Sequence, residues 1–157
     1  ESVFAKSKQA LADIEAEDTA VVMLKFRNGA LGMIEATTAI RPKDLEGSIS
    51  ILGETGSVEI GGFAVNEMKT WNFSDKQSGD DDVIDKYSVN PPNVYGFGHQ
   101  AYYEHVIDCL NNKTPQLVDG LQGRKSLELI NAIYESIETG QEVSLRFTPK
   151  FSKLGRL

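Results

Sequence analysis

The sequence predicts an α+β domain: a largely antiparallel mixed sheet, with helices on one face and the other face open for domain or subunit contacts. Three observations carry this. Strand-like runs fill the first half of the chain and helix-like runs the second, rather than alternating. Asn28-Gly29 lies between two β-rich runs, a strong hairpin signal, because a type I′ turn needs positive φ at both central residues. Both faces of that hairpin are apolar, whereas a sheet wetted on one side alternates more cleanly.

Taken in order, Glu1-Ser2-Val3-Phe4-Ala5 reads as a strand already under way. The hairpin covers residues 18–40. With Asn28 and Gly29 as the whole loop, Phe26 faces Leu31, Leu24 faces Met33 and Val22 faces Glu35. Met23 with Ile34, and Val21 with Ala36, then occupy the opposite face. Ser48–Leu52 and Ser57–Phe63 flank Gly53-Glu54-Thr55-Gly56. No helix opens there, so these glycines read as a turn and not as a phosphate cradle. Val65–Phe73 is a further strand. Residues 74–96 are polar, with Asp80, Asp81 and Asp82 adjacent rather than spaced as in a calcium loop. They predict a solvated, mobile loop of the kind that flanks clefts. A helix follows from about Phe97 to Leu110, with Tyr103, Val106, Ile107 and Leu110 on one arc. A second helix runs from Asp119 to Gly140 with Leu127, Ile130, Ile133, Tyr134 and Ile137 inward. The last strand is Glu142–Phe147, before Pro149.

Residues 1–157 are the length of one domain. The net charge of −7 and a pI near 4.8 repel phosphate backbones and anionic lipid, so neither nucleic acid nor membrane is an expected partner. Cys109 is the only cysteine, which excludes an internal disulfide and fits a reducing, cytoplasmic setting. No apolar run reaches the roughly 20 residues that span a bilayer. The opening, without initiator Met or leader, reads as a piece of a longer protein.

No self-contained catalytic constellation is visible. His99, His105 and Cys109 are the chain's soft ligands, too few for a metal cluster. No strand runs through a glycine-rich turn into a helix, so no cofactor-binding residues are expected. Two segments stand out. In Thr37-Thr38-Ala39-Ile40-Arg41-Pro42-Lys43, a strand end carries hydroxyls and two cations in an acidic chain. Arg41 offers a planar fork for carboxylate or phosphate and Lys43 a point charge, although an ordinary charged strand end has the same composition. In Tyr95–Tyr103, His99 falls within the arc of Tyr103, Val106, Ile107 and Leu110 at about 100° per residue and so points inward. It lies at a helix N-terminus, which favours anions. Facing a ligand and sitting in the core bonded to backbone are equal alternatives for it.

Four segments in succession resemble the C-terminal domain of the Gfo/Idh/MocA oxidoreductases: Glu17–Ala20, Phe26–Gly32, Ile51–Ile60, and Leu127–Val143 with Tyr134-Glu135-Ser136-Ile137. Within that family, Ala39–Asp44 and Gly96–Tyr103 resemble the enzymes that oxidise UDP-N-acetylated glucuronate at C3 for surface polysaccharide (lipopolysaccharide) synthesis. The resemblance implies a preceding Rossmann domain, which with a Glu-Lys-Pro lysine and a helix histidine supplies the chemistry; none of these lies in this chain. It further implies NAD or NADP in the full-length enzyme, none on this chain, and no activity from this chain alone. The implied partners are its own N-terminal Rossmann domain, a homo-oligomer formed through the sheet, and an anionic sugar nucleotide. In that setting Arg41 and Lys43 hold the substrate's carboxylate or diphosphate, and Thr38, His99 and Tyr102 shape its surroundings. A non-catalytic ligand-binding module and a purely oligomerising domain are the alternatives.

Overall fold

The structure is a computed structural model that describes residues 1–93 and 95–146. Its elements are β1 (Ser2–Lys8), β2 (Thr19–Lys25), β3 (Leu31–Thr37), β4 (Ile49–Leu52), β5 (Gly56–Gly61), β6 (Glu67–Phe73), α1 (Val83–Lys86), α2 (Gly98–Asn112), α3 (Gly120–Thr139) and β7 (Val143–Ser144). Every described strand pairing is antiparallel, in two sheets of order β3-β2-β1-β7 and β4-β5-β6. The α+β class is as predicted. Two compact units result: Glu1–Arg41 with the described residues from Leu117 onward, and Pro42–Gln116.

In the first unit, the β2–β3 turn sets the register. Gly29 N–H donates to Phe26 O at 3.0 Å, and Phe26 N–H to Ala30 O at 2.9 Å, with Gly29 at φ 89°. The loop is therefore the three residues 27–29, with glycine supplying the left-handed position. This is one residue longer than the two-residue loop expected. Met23 consequently opposes Met33, and Val22 opposes Ile34. A slip of one residue carries the side chains of β3 to the other face relative to β2.

Val3 and Ala5 of β1 lie opposite Leu24 and Val22. On that face Val3, Ala5 and Val22 form the core with Ala132 and Val143, flanked by Leu24, Leu129, Ile133 and Ile137. The opposite face leaves Met23, Leu31 and Met33 at 60%, 78% and 72% exposure. The doubly apolar sheet is thus present, with α3 on one side and the other side open.

α3 begins at Asp119, whose Oδ1 accepts from Gln122 N–H at 2.9 Å, and ends at Gly140, φ 68°. Its buried face is centred on Ala132, Glu135 and Ser136, while Leu127 and Ile130 of the expected arc are exposed. The reason lies in β7. It pairs only with Ser2 and Val3, so the Ala5 N–H beyond it needs another acceptor. Ser136 Oγ accepts that proton at 2.9 Å and donates to Gln141 O at 2.6 Å. Small residues on α3 permit this close approach. Phe147, the expected end of the last strand, lies outside the described residues.

In the second unit, Gly53 N–H donates to Gly56 O at 2.8 Å, closing the β4–β5 hairpin as a plain turn. Residues 74–96, expected as a mobile solvated loop, are largely exposed over their described part, which is also bonded to β6 and to Asn66 just before it. Trp71 Nε1 donates to Asp80 Oδ1 at 2.9 Å, Met68 N–H to Ser88 Oγ at 3.1 Å, and Asn66 Nδ2 to Val89 O at 2.7 Å. The Trp71 bond, then the Gln77 N–H, hold the Asp80 carboxyl below its usual range.

Candidate functional site

Thr38 and Arg41 belong to the first unit, and Lys43, His99 and Tyr102 to the second. Thr38 leaves β3 exposed, with its N–H donating to Asp18 O at 2.8 Å. The exposed Arg41 guanidinium turns back onto the chain, Nη1 donating to Ile40 O at 2.8 Å and to Thr38 O at 3.4 Å. Thr38 and Arg41 are therefore brought together. Lys43 is exposed in the second unit.

His99 does not point inward. It is exposed, as are Tyr103, Ile107 and Leu110 of the arc it shares, and in α2 only Cys109 is buried. The arc exists as the periodicity predicted, but in this chain it is not covered. His99 meets the ring of Tyr95 edge-on at 6.2 Å, and Tyr102 meets Tyr103 edge-on at 5.9 Å.

Beside Thr38 lies a cleft of about 280 Å³ lined by Glu17, Asp18, Thr19, Ala20, Ala36, Thr37 and Thr38. The Thr19 and Thr37 hydroxyls pair across β2 and β3 at 3.0 Å. Asp18 anchors the cleft floor: its carboxylate accepts from the N–H groups of Ala12, Leu11 and Ala10 at 2.7–2.8 Å. Those three bonds, in that order, outweigh burial and hold Asp18 far below the usual carboxylate range. Glu17 Oε1 accepts from Tyr134 OH at 2.9 Å, while its Oε2 is buried without a protein partner. The Glu17 bond, followed by burial, pushes the Tyr134 phenol up. Sequence reasoning reached Thr38 but missed this lining. Its only signal was the Glu17-Asp18-Thr19 run at the start of a strand.

Among the described residues, no group of three or more His, Cys, Asp or Glu side chains could hold a metal ion. Nor do these residues fit a dinucleotide. All their strand pairings are antiparallel and no strand leads directly into α2 or α3, so no βαβ cradle is formed.

Comparison with known proteins places this architecture. Residues 1–145 match the oxidoreductase family, C-terminal alpha/beta domain. The chain belongs to that family. The WlbA dehydrogenase from Chromobacterium violaceum, solved in complex with NADH and UDP-GlcNAcA, is 45% identical over 94% of this chain, with a TM-score of 0.83. The WlbA dehydrogenase from Bordetella pertussis, with the same two ligands, is 44% identical over 94% of this chain, with a TM-score of 0.86. This chain spans only 40% and 42% of those two proteins. An oxidoreductase from Sinorhizobium meliloti, 17% identical over 92% of this chain and covered over 46% of its own, shares the fold at a TM-score of 0.70. No curated protein matches the chain.

Proposed function

We propose that this chain is the substrate-binding and assembly part of an NAD(P)-dependent sugar oxidoreductase acting on a UDP-N-acetylated uronate. The observation that carries the reading is the 45% identity, over 94% of the chain, to a dehydrogenase bound to NADH and UDP-GlcNAcA. The reaction is oxidation of a secondary hydroxyl, at C3 by the sequence resemblance, with nicotinamide as the hydride acceptor. The dinucleotide is held outside these residues, by a Rossmann domain joined to this chain. What this chain contributes is binding and orientation. Arg41 receives an anionic group of the substrate in a planar, two-pronged contact, and Thr38, Lys43, His99 and Tyr102 are further substrate contacts. The exposed Met23, Leu31 and Met33 form a surface through which copies assemble. The protein works in the cytoplasm, where sugar nucleotides and NAD are available. In keeping with that, no described helix is long and apolar enough to cross a membrane.

The test is turnover of UDP-GlcNAcA, followed as NADH formation, by the enzyme that carries this chain. Arg41→Ala is expected to raise KM by about 10- to 100-fold, the loss of one charge-assisted contact of roughly 1.5–3 kcal/mol. An enzyme that neither binds nor oxidises UDP-GlcNAcA would refute the substrate class. An Arg41→Ala variant with unchanged KM and kcat would refute the residue's role.

A further inference from the structure

Five rings crowd into residues 95–103: Tyr95, Phe97, His99, Tyr102 and Tyr103. They include three of the chain's five tyrosines and one of its two histidines. All five are exposed, Tyr95 at 73%. Single exposed aromatics are ordinary, but a contiguous group marks a contact surface.

The way these rings meet says what they fit. Tyr95 and His99 lie at 69° to each other, and Tyr102 and Tyr103 at 64°. Edge-on contact engages the rim of one ring in each pair and leaves flat π-faces bare. Gly96, at φ 68° with its N–H on Asn93 O at 3.3 Å, turns the chain so that Tyr95 returns to the first turn of α2. Asn93 Oδ1 fixes that turn by accepting from Tyr95 N–H at 3.0 Å.

Charge narrows the occupant. Residues 88–103 contain no Asp, Glu, Lys or Arg, in a chain where such residues make up 25% and the net charge is −7. A neutral planar heterocycle with a polyanionic tail meets no carboxylate within this stretch. Flat exposed rings are the features on which nucleobases stack, and the nearest carboxylate in sequence, Glu104, is engaged by Gln100 Nε2 at 2.8 Å.

Resting on the sugar-nucleotide reading above, we propose that this aromatic patch is the berth of the base, with uracil stacking on the face of Tyr95 and His99 bordering it edge-on. Here His99 is an edge contact, and the patch decides which nucleotide half of the substrate, kept intact through the oxidation, is accepted.

Calorimetric titration of the enzyme that carries this chain tests it. Tyr95→Ala is expected to weaken UDP and UDP-GlcNAcA by about 5- to 100-fold, the range of one base–aromatic stack, and His99→Ala to weaken both by less. Tyr95→Phe keeps a ring and is expected to bind as the wild type does, whereas Tyr95→Leu, of similar bulk, behaves like the alanine variant. Turnover of the base-free sugar 1-phosphate is expected to be the same in the three Tyr95 variants as in the wild type. Unchanged UDP affinity in both alanine variants would overturn the proposal while leaving the function above intact. Equal losses for base-bearing and base-free ligands would overturn it too, assigning the patch to protein contact. A wild-type enzyme that ignores UDP-GlcNAcA would instead remove the reading on which it rests.

Discussion

At the scale of single residues, Asp18 is the clearest case of chemistry dictating structure. One carboxylate collects the N–H groups of residues 10–12, bends the β1–β2 connection back on itself, and so shapes the floor beneath Thr37 and Thr38. Its folded-state pKa is depressed, so its stabilisation is complete above the unfolded value of about 4 and is lost as pH falls toward the folded one. Asp18→Asn is therefore expected to be less stable than wild type near neutrality, with the gap narrowing between about pH 4 and pH 2. Urea titrations across that range check this, and a pH-independent gap would show that the carboxylate's charge is irrelevant. The candidate site was only partly legible at this scale. Arg41 and Thr38 share a short segment, so their proximity could be read from spacing. The cleft lining joins residues 17–20 to 36–38 across a sheet, and that depends on register, which spacing does not supply.

At the scale of elements, the sequence pattern located every described strand of four or more residues and both long helices, and erred in how they face. Asn28-Gly29 announced a reversal, but glycine with positive φ serves a two-residue and a three-residue loop equally. The difference is one residue, enough to exchange the partners of Val22 and Met23. Helix phase failed for a related reason. The apolar arc of α3 was read from side-chain size, whereas its packing is set by an amide that needs an acceptor. Ser136, fully buried at 0% exposure, meets that need for Ala5 and in turn donates to Gln141 O. Ser136→Ala is expected to cost about 1–3 kcal/mol, since it strands the buried Ala5 N–H and takes the donor from Gln141 O. Chemical denaturation measures it, and a cost near zero would mean that the two backbone groups find other partners.

At the scale of the molecule, an α-helix on one side and an open apolar surface on the other is half of a layered arrangement. If copies assemble through that surface, Met33→Glu is expected to raise the monomer fraction in light scattering. The substituted side chain is exposed, so the monomer's own stability should shift by less than about 0.5 kcal/mol. A variant that associates as wild type does would place the contact elsewhere.

The first unit also has an unusual itinerary. It is made of the two ends of the described chain, and the whole second unit is threaded between them. Ser2 meets Glu142, and Val3 meets Val143, across nearly the entire polypeptide. Closing so long a loop carries an entropic penalty that contacts repay only once both ends have met. During synthesis the interposed unit can therefore mature while the leading hairpin waits for α3 and β7 to leave the ribosome. Its greasy strands are open to chaperones, or to mispairing, for that whole interval.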